Sequence, residues 1–353
     1  MVETNNRRFP VGIQSFEEIR KEGYLYVDKT DIIWQLANEG KKYNSLSRPC
    51  RFGKSVLVDT LEAYFMGKKE LFKGLNIMEM EKEWVKRPVI RLDMSRAGAE
   101  PDTLRSYLNN IFRQYEKEYS LVPAPTDSLA DRFDAIIVGS YEQTGQQVAI
   151  LIDEYDSPLQ HSWKTPHHEA CTAIYREVFA ILKADDKYEK FVFITGITKF
   201  TQISLFSVLN NLSNISFEPE YAAICGITKE ELLTTFTPEI ERLGISNGMD
   251  FDTTLEQMTK LYDGYHFYPH CEGVFNPFSV LNACKSKILD NFWFQTGTPT
   301  YLVNLLKESD YDLRLLIEGV EVTASAFFEY RAEVKNPLPM IYQSGYLTIK
   351  DYD

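Results

Sequence analysis

Apolar residues at 32, 33 and 36 recur at helical spacing behind Asp28 and Thr30, which predicts a capped amphipathic helix over 28–36, closed by Gly40. A short run at 43–46 then enters a Gly53-Lys54-Ser55 turn, after which Val56, Leu57, Leu61 and Tyr64 mark the buried side of a second helix. This strand, loop and helix is followed by more of the same alternation. A strand at 88–92 precedes a helix over 102–119, whose inner side carries Leu104, Leu108, Ile111, Phe112 and Tyr115. A helix over 129–141 leads to the nearly continuous apolar run 148–152, the pattern of a central strand covered on both faces. A helix over 169–182 and a strand at 191–195 complete the series. Strands alternating with helices predict an α/β fold with a parallel sheet flanked by helices, which receives ligands at the carboxyl ends of its strands.

Past residue 218 the pattern changes. Thr228 caps a predicted helix over 228–233, and another covers 255–262. The remainder holds an aromatic stretch at 262–268, a turn-rich segment at 276–278, helices near Leu281 and Leu302, and a strand-like run at 345–349. A chain of 353 residues exceeds the range in which single cores keep growing, so two domains are expected: an α/β unit over 1–230 and a smaller, mainly helical unit over 231–353.

The composition, 44% hydrophobic and 25% charged, is that of an ordinary globular protein. No stretch approaches the roughly 20 apolar residues that cross a bilayer. The polar start, residues 1–8, lacks the apolar run of a secretory signal, so a cytoplasmic location is expected with no membrane association. Five scattered cysteines without a Cys-x-x-Cys pair point to reduced thiols. A net charge of −13 gives no indication of nucleic-acid binding.

Chemistry is concentrated at two strand ends. A phosphate-binding loop needs inward backbone N–H groups at a helix start, a lysine for the outer phosphates and a hydroxyl for magnesium. Gly53, Lys54 and Ser55 meet these needs, between a predicted strand and a predicted helix. The full pattern G-x-x-x-x-G-K-[ST] has its first glycine at position 48, which is Arg48 here, followed by Pro49, Cys50, Arg51 and Phe52. Arg48 and Arg51 are expected to replace the missing glycine geometry with forked contacts to phosphate oxygens; the alternative is a solvated basic turn. The second end is that of strand 148–152, which delivers Asp153 and Glu154 and resembles a Walker B strand. Asp153 is expected to hold Mg2+ and Glu154 to orient and deprotonate the attacking water, against the plainer reading of carboxylates capping a strand. Thr195 and Thr198, beyond strand 191–195, are candidate γ-phosphate sensors, with ordinary turn hydrogen bonding as the alternative. His266, His270 and Cys271 lie among aromatic residues and read as a packed loop. The Asp185 to Lys187 and Glu333 to Lys335 spacings lack a preceding Pro-Asp pair, which argues against nuclease activity within this chain.

On these residues the chain resembles the AAA-ATPase-like family of bacterial proteins, related to the STAND and archaeal-ATPase P-loop NTPases. The resemblance rests on Pro10-Val11-Gly12-Ile13-Gln14-Ser15-Phe16, Tyr24-Leu25-Tyr26-Val27-Asp28-Lys29-Thr30, the loop from Ser47 to Ser55, Ile152-Asp153-Glu154-Tyr155-Asp156-Ser157-Pro158, Thr195-Gly196-Ile197-Thr198-Lys199-Phe200, Leu209-Asn210-Asn211-Leu212, Tyr262-Asp263-Gly264-Tyr265 and Tyr342-Gln343-Ser344-Gly345-Tyr346-Leu347-Thr348-Ile349. It implies that the Arg-Pro loop is this family's P-loop, with ATP and Mg2+ as ligands and Arg48, Arg51, Phe52, Gly53, Lys54, Ser55 and Val56 around the phosphates. It implies that Tyr26 and Val27 lie beside the base, core packing being the alternative. Members commonly continue into a PD-(D/E)XK nuclease-like domain, which is absent from these 353 residues. Three readings follow. The first is a slow, Mg-dependent ATPase acting as a conformational or assembly switch, with a winged-helix-like C-terminal lid. The second is a nucleotide-binding or scaffold module that engages a protein partner or itself without turnover, and the third the ATPase part of a nuclease system.

Overall fold

A computed structural model of the chain describes residues 7–197, 212–268, 270–293, 300–309, 311–323 and 336–350. Its centre is a parallel sheet of five strands, β1 (Tyr43–Ser47), β2 (Val89–Asp93), β3 (Val148–Asp153), β4 (Glu189–Gly196) and β5 (Ser213–Asn214), in the order β2-β3-β4-β1-β5. The fold class is therefore α/β, as the alternation of strand and helix periods requires. β4 lies between β1 and β3, with Leu46 opposite Thr195, Ser47 opposite Gly196, and Ile152 opposite Ile194. The segments after β1, β3 and β4 consequently leave the sheet side by side.

The period-two alternation of strand side chains builds two cores. One face carries Tyr43, Ile90, Leu92, Ile150, Ile152, Val192 and Ile194 against the helices Pro101–Glu118, Leu129–Thr144 and His168–Phe179. The other carries Leu46, Ala149, Leu151, Phe191 and Phe193 against Thr30–Asn38 and Lys54–Phe65. β3 is buried at all six positions, so its apolar run is that of a strand sandwiched between helical layers. Ser128 and Asp131 form a capping box at one helix start, and Thr228 and Glu231 form another at the helix Lys229–Asn247. At the first predicted helix, the Asp28 carboxylate accepts from the Thr30 amide and hydroxyl at 2.9 and 2.6 Å, and the helix itself begins at Thr30.

A third core gathers Ile227, Leu232, Phe236, Ile240, Leu243, Met258, Tyr262, Phe275 and Val280, with Phe9, Leu25 and Val27 packed against it. It is held by the helices Lys229–Asn247, Phe251–Tyr262 and Pro277–Ser286 and by an antiparallel pair, β6 (Ile227–Thr228) and β7 (Val274–Phe275). The strand expected at 345–349 does not form. A helix, Leu338–Gln343, ends at Ser344, Gly345 turns the chain at φ +93°, and Tyr346 and Leu347 pack on the first core with no ladder partner among the described residues. Tyr346 and Leu347 are apolar because they cover the first core, half-buried, and not because a sheet recruits them. None of the described helices is long and apolar enough to cross a membrane.

Candidate functional site

The loop between β1 and the helix Lys54–Phe65 turns through two left-handed residues, Arg51 at φ +68° and Gly53 at φ +95°. A side chain at Gly53 would meet nothing within 4 Å, so glycine is required there by backbone conformation rather than by crowding. This turn places the start of a 12-residue helix, with its free N–H groups, at the carboxyl edge of the sheet.

Lys54 is 5% exposed, and its ammonium donates to the carbonyls of Arg48 at 3.0 Å and Pro49 at 3.1 Å. The Ser55 hydroxyl lies close enough to Asp153 to favour its charged form, so the start of the helix faces the carboxylate at the end of β3. Burial raises the pKa of Asp153, opposed by the Ser55 hydroxyl and by the charges of Lys54 and Arg91. Burial likewise raises that of Glu154, opposed by Lys54 and reinforced by Asp153, Asp156 and Asp93. The Glu154 backbone sits at φ +47°, an uncommon conformation for a side chain without special need of it, and its amide donates to Asp153 Oδ1 at 3.0 Å. Lys54, Ser55, Asp153 and Glu154 thus form one constellation.

The end of β4 holds that constellation together. The Arg48 amide donates to Gly196 O at 3.2 Å, the Tyr155 amide donates to Thr195 O at 3.0 Å, and the Thr195 hydroxyl, fully buried, donates to Leu46 O at 2.9 Å. The Thr195 hydroxyl is therefore committed to β1. Thr198 lies outside the described residues. Asp156, 1% exposed, accepts from the Ile197 amide at 3.0 Å, and a side chain at Gly196 would collide with Asp156 Oδ1. The close approach requires glycine at this position, a demand invisible in the sequence.

The other expected contacts of the loop are placed differently from one another. Arg48 is 1% exposed; its guanidinium donates to Ser47 O, Ser216 O and Tyr221 O at 3.1, 2.8 and 3.0 Å and lies 3.8 Å from the centre of the Phe267 ring. Burial pulls its pKa down to about 10. The guanidinium fastens the loop to the 216–221 segment, in place of the phosphate fork expected from sequence. Arg48→Lys, which cannot serve separate carbonyls with a planar fork, is expected to lower the unfolding free energy by about 1–3 kcal/mol in urea titrations; an unchanged midpoint would remove this fastening role. Arg51 is exposed, with its guanidinium 4.1 Å from the Phe278 ring centre. Phe52 is buried against Tyr265 and Phe267, at ring distances of 4.9 and 5.6 Å. Val56 lies half-buried on the first turn. Tyr26 packs edge-on against Phe16 at 5.2 Å, and Val27 packs on the third core.

Two segments beside the loop were not singled out as site residues by sequence. The Tyr265 hydroxyl donates to Tyr342 O at 2.7 Å, the Tyr342 hydroxyl donates to His266 O at 3.0 Å, and Gly345 leaves only 3.0 Å between a would-be side chain and Pro49. His266 Nδ1 bonds the Cys271 carbonyl at 3.0 Å, as in a packed loop. The aromatic density of 262–268 was the available signal, but nothing in it named the loop as its neighbour.

An uncharacterized protein from the vnfD 5′ region of Azotobacter chroococcum (mcd 1) is 34% identical over 352 residues, which is 98% of this chain and 64% of that relative. The chain thus spans a little under two thirds of the relative's length. With its parallel sheet, its strand-loop-helix turn and a match over residues 10–206 to the family model described as predicted AAA-ATPase, this chain belongs to the AAA-ATPase-like family.

Proposed function

We propose that the protein is a Mg-dependent ATP-binding protein and slow ATPase that acts as a conformational or assembly switch in the cytoplasm. The observation that carries this reading is that Ser55 and Lys54 at the helix start face Asp153 and Glu154 at the end of β3, near enough for Ser55 and Lys54 to favour the charged form of Asp153 and Lys54 that of Glu154. A hydroxyl and a carboxylate, both hard oxygen donors, suit magnesium, which takes few protein ligands and keeps phosphate and water in its remaining positions. Ser55 and Asp153 would hold the ion, whose charge offsets that of the phosphates. Lys54 would exchange the carbonyls of Arg48 and Pro49 for phosphate oxygens, and the amides at the start of the helix would complete the cradle. Glu154 would take the proton of the attacking water. Thr195 supports the arrangement from within the sheet, and Thr198 stays a candidate sensor. The residues from about 231 onward would form a lid, since their aromatic and C-terminal segments rest on the same loop that Lys54 must release.

The test is thermal unfolding of the wild type and Lys54→Ala with and without Mg-ATP, with Mg-GTP as the base control. A ligand at a hundred times its Kd adds about 2.7 kcal/mol to the folded state, a rise of several degrees. The rise is expected in the wild type and absent in Lys54→Ala. No rise at millimolar nucleotide would discard the reading. A second reading, a module that binds nucleotide or a protein partner without turnover, is favoured by Arg48, whose buried guanidinium faces Ser216 and Tyr221. A normal thermal shift with no phosphate release would select it.

A further inference from the structure

We propose that Phe278 is the stacking platform for the base of the bound nucleotide, a place taken in this structure by the guanidinium of Arg51. The inference rests on the nucleotide-binding reading above and adds to it the residue that recognises the base.

A nucleotide whose phosphates lie at the turn of Gly53 needs a flat apolar surface about one nucleoside away. The aromatic rings nearest the loop are mostly covered already. Phe52 is 2% exposed and Phe267 4%, and Arg48 covers a face of the latter. Tyr265 is wedged between Phe52 and Tyr342 with its hydroxyl bonded. Tyr26 and Val27, the base contacts implied by family resemblance, are turned into packing against Phe16 and into the third core. Phe278 differs from all of these. It is half-buried, belongs to none of the three cores, and carries the Arg51 guanidinium over its ring.

That occupant is easily displaced. Arg51 is exposed and has no hydrogen bond or ion pair among the described residues, so its place on the ring rests on the weak cation–π attraction of an exposed site. A purine offers the same ring a larger planar π-face. The ring, by contrast, is held firmly. Pro277 opens the helix, Asn276 Oδ1 accepts from the Ser279 amide at 2.9 Å, and the flanking Ser279 and Val280 are buried. Arg51 also sets the distance. It lies two residues before Gly53, so Phe278 is within one arginine side chain of the phosphate turn. Base binding would release the guanidinium toward the phosphates, where a planar fork is effective. Stacking distinguishes a nucleotide from bare polyphosphate and does not by itself distinguish adenine from guanine.

The experiment is calorimetric titration of the wild type, Phe278→Ala and Lys54→Ala with Mg-ATP and with Mg-tripolyphosphate, a ligand with the phosphates and no base. The wild type is expected to bind ATP at least tenfold more tightly than tripolyphosphate. Phe278→Ala is expected to lose that advantage while keeping tripolyphosphate affinity within about twofold, and Lys54→Ala to lose both ligands. Should the alanine variant not fold, Phe278→Leu, which keeps apolar volume and removes the π-face, carries the same expectation. Wild-type-like ATP binding by the variant, or equal loss of both ligands, would overturn the platform while leaving the phosphate site standing. Binding of neither ligand by the wild type would overturn the platform together with the reading beneath it.

Discussion

Glu154→Gln is expected to bind Mg-ATP as the wild type does and to hydrolyse it at least a hundred-fold more slowly. The substitution keeps the shape of the side chain but removes the ability to accept a proton. A positioned general base contributes about 10²–10⁴ in rate. Two features of the site favour Glu154 over its neighbour for this role, and a third suits it to the task. Asp153 is 3% exposed and its carboxylate faces Ser55, whereas Glu154 is partly exposed. Its left-handed backbone turns it away from the strand direction, at a cost that an ordinary strand end would not bear. Burial and the surrounding acids raise its pKa, as burial does for Asp153, which brings this more exposed carboxylate closer to the operating pH of a base. The wild-type rate should therefore fall on the acidic side, with an inflection above the usual carboxylate range that Glu154→Gln lacks. Phosphate release under single-turnover conditions, with binding measured separately, checks both parts. Equal rates for the two proteins would end the proposed role.

The carboxylate pair and the glycine-lysine-serine turn were legible because each follows from a local pattern. An apolar run that ends in two acids points to a strand end that presents them, and Gly53 before Lys54 and Ser55, between a strand pattern and a helix pattern, points to a helix start. The sheet order was not legible. That β4 inserts between β1 and β3, and so ties the loop through Gly196 and the carboxylate turn through Thr195, depends on long-range pairings, Tyr43 with Val192 and Ala149 with Phe191, that no local pattern announces. The fate of Arg48 was hidden for the same reason. A guanidinium beside a glycine-lysine turn reads as a phosphate ligand until Ser216 and Tyr221, far along the chain, bring their carbonyls to it. The run 345–349 has the apolar character of a strand, and only the absence of a neighbouring edge among the described residues separates it from one.

Stability is expected to fall as pH rises from about 5 to 9, and Glu189→Gln to remove much of that fall. The cause lies at the other end of the sheet from the loop. Glu189, at the start of β4, is fully buried, and burial pushes its pKa up to about 8, opposed by the Tyr43 hydrogen bond and by Lys42 and reinforced by Asp185 and Asp186. Asp185, 5% exposed, is pushed up to about 7 by burial and by Asp134, with Lys187 opposing. The Tyr43 hydroxyl lies 2.6 Å from Glu189 Oε2, 2.9 Å from Leu182 O and 2.9 Å from Asp186 Oδ1. One hydroxyl proton cannot serve three acceptors, so a proton on the Glu189 carboxyl satisfies the shortest contact. The folded protein therefore keeps protons that the unfolded chain releases in the ordinary carboxylate range. Stability is fully present below that range and is lost as pH rises through about 7 to 8, by an amount on the order of a few kcal/mol. A glutamine side chain cannot ionise, so Glu189→Gln should match the wild type near pH 5 and exceed it at pH 9 in urea titrations. A wild type equally stable at both pH values, or a variant that loses as much as the wild type, would show that this buried carboxyl does not hold its proton.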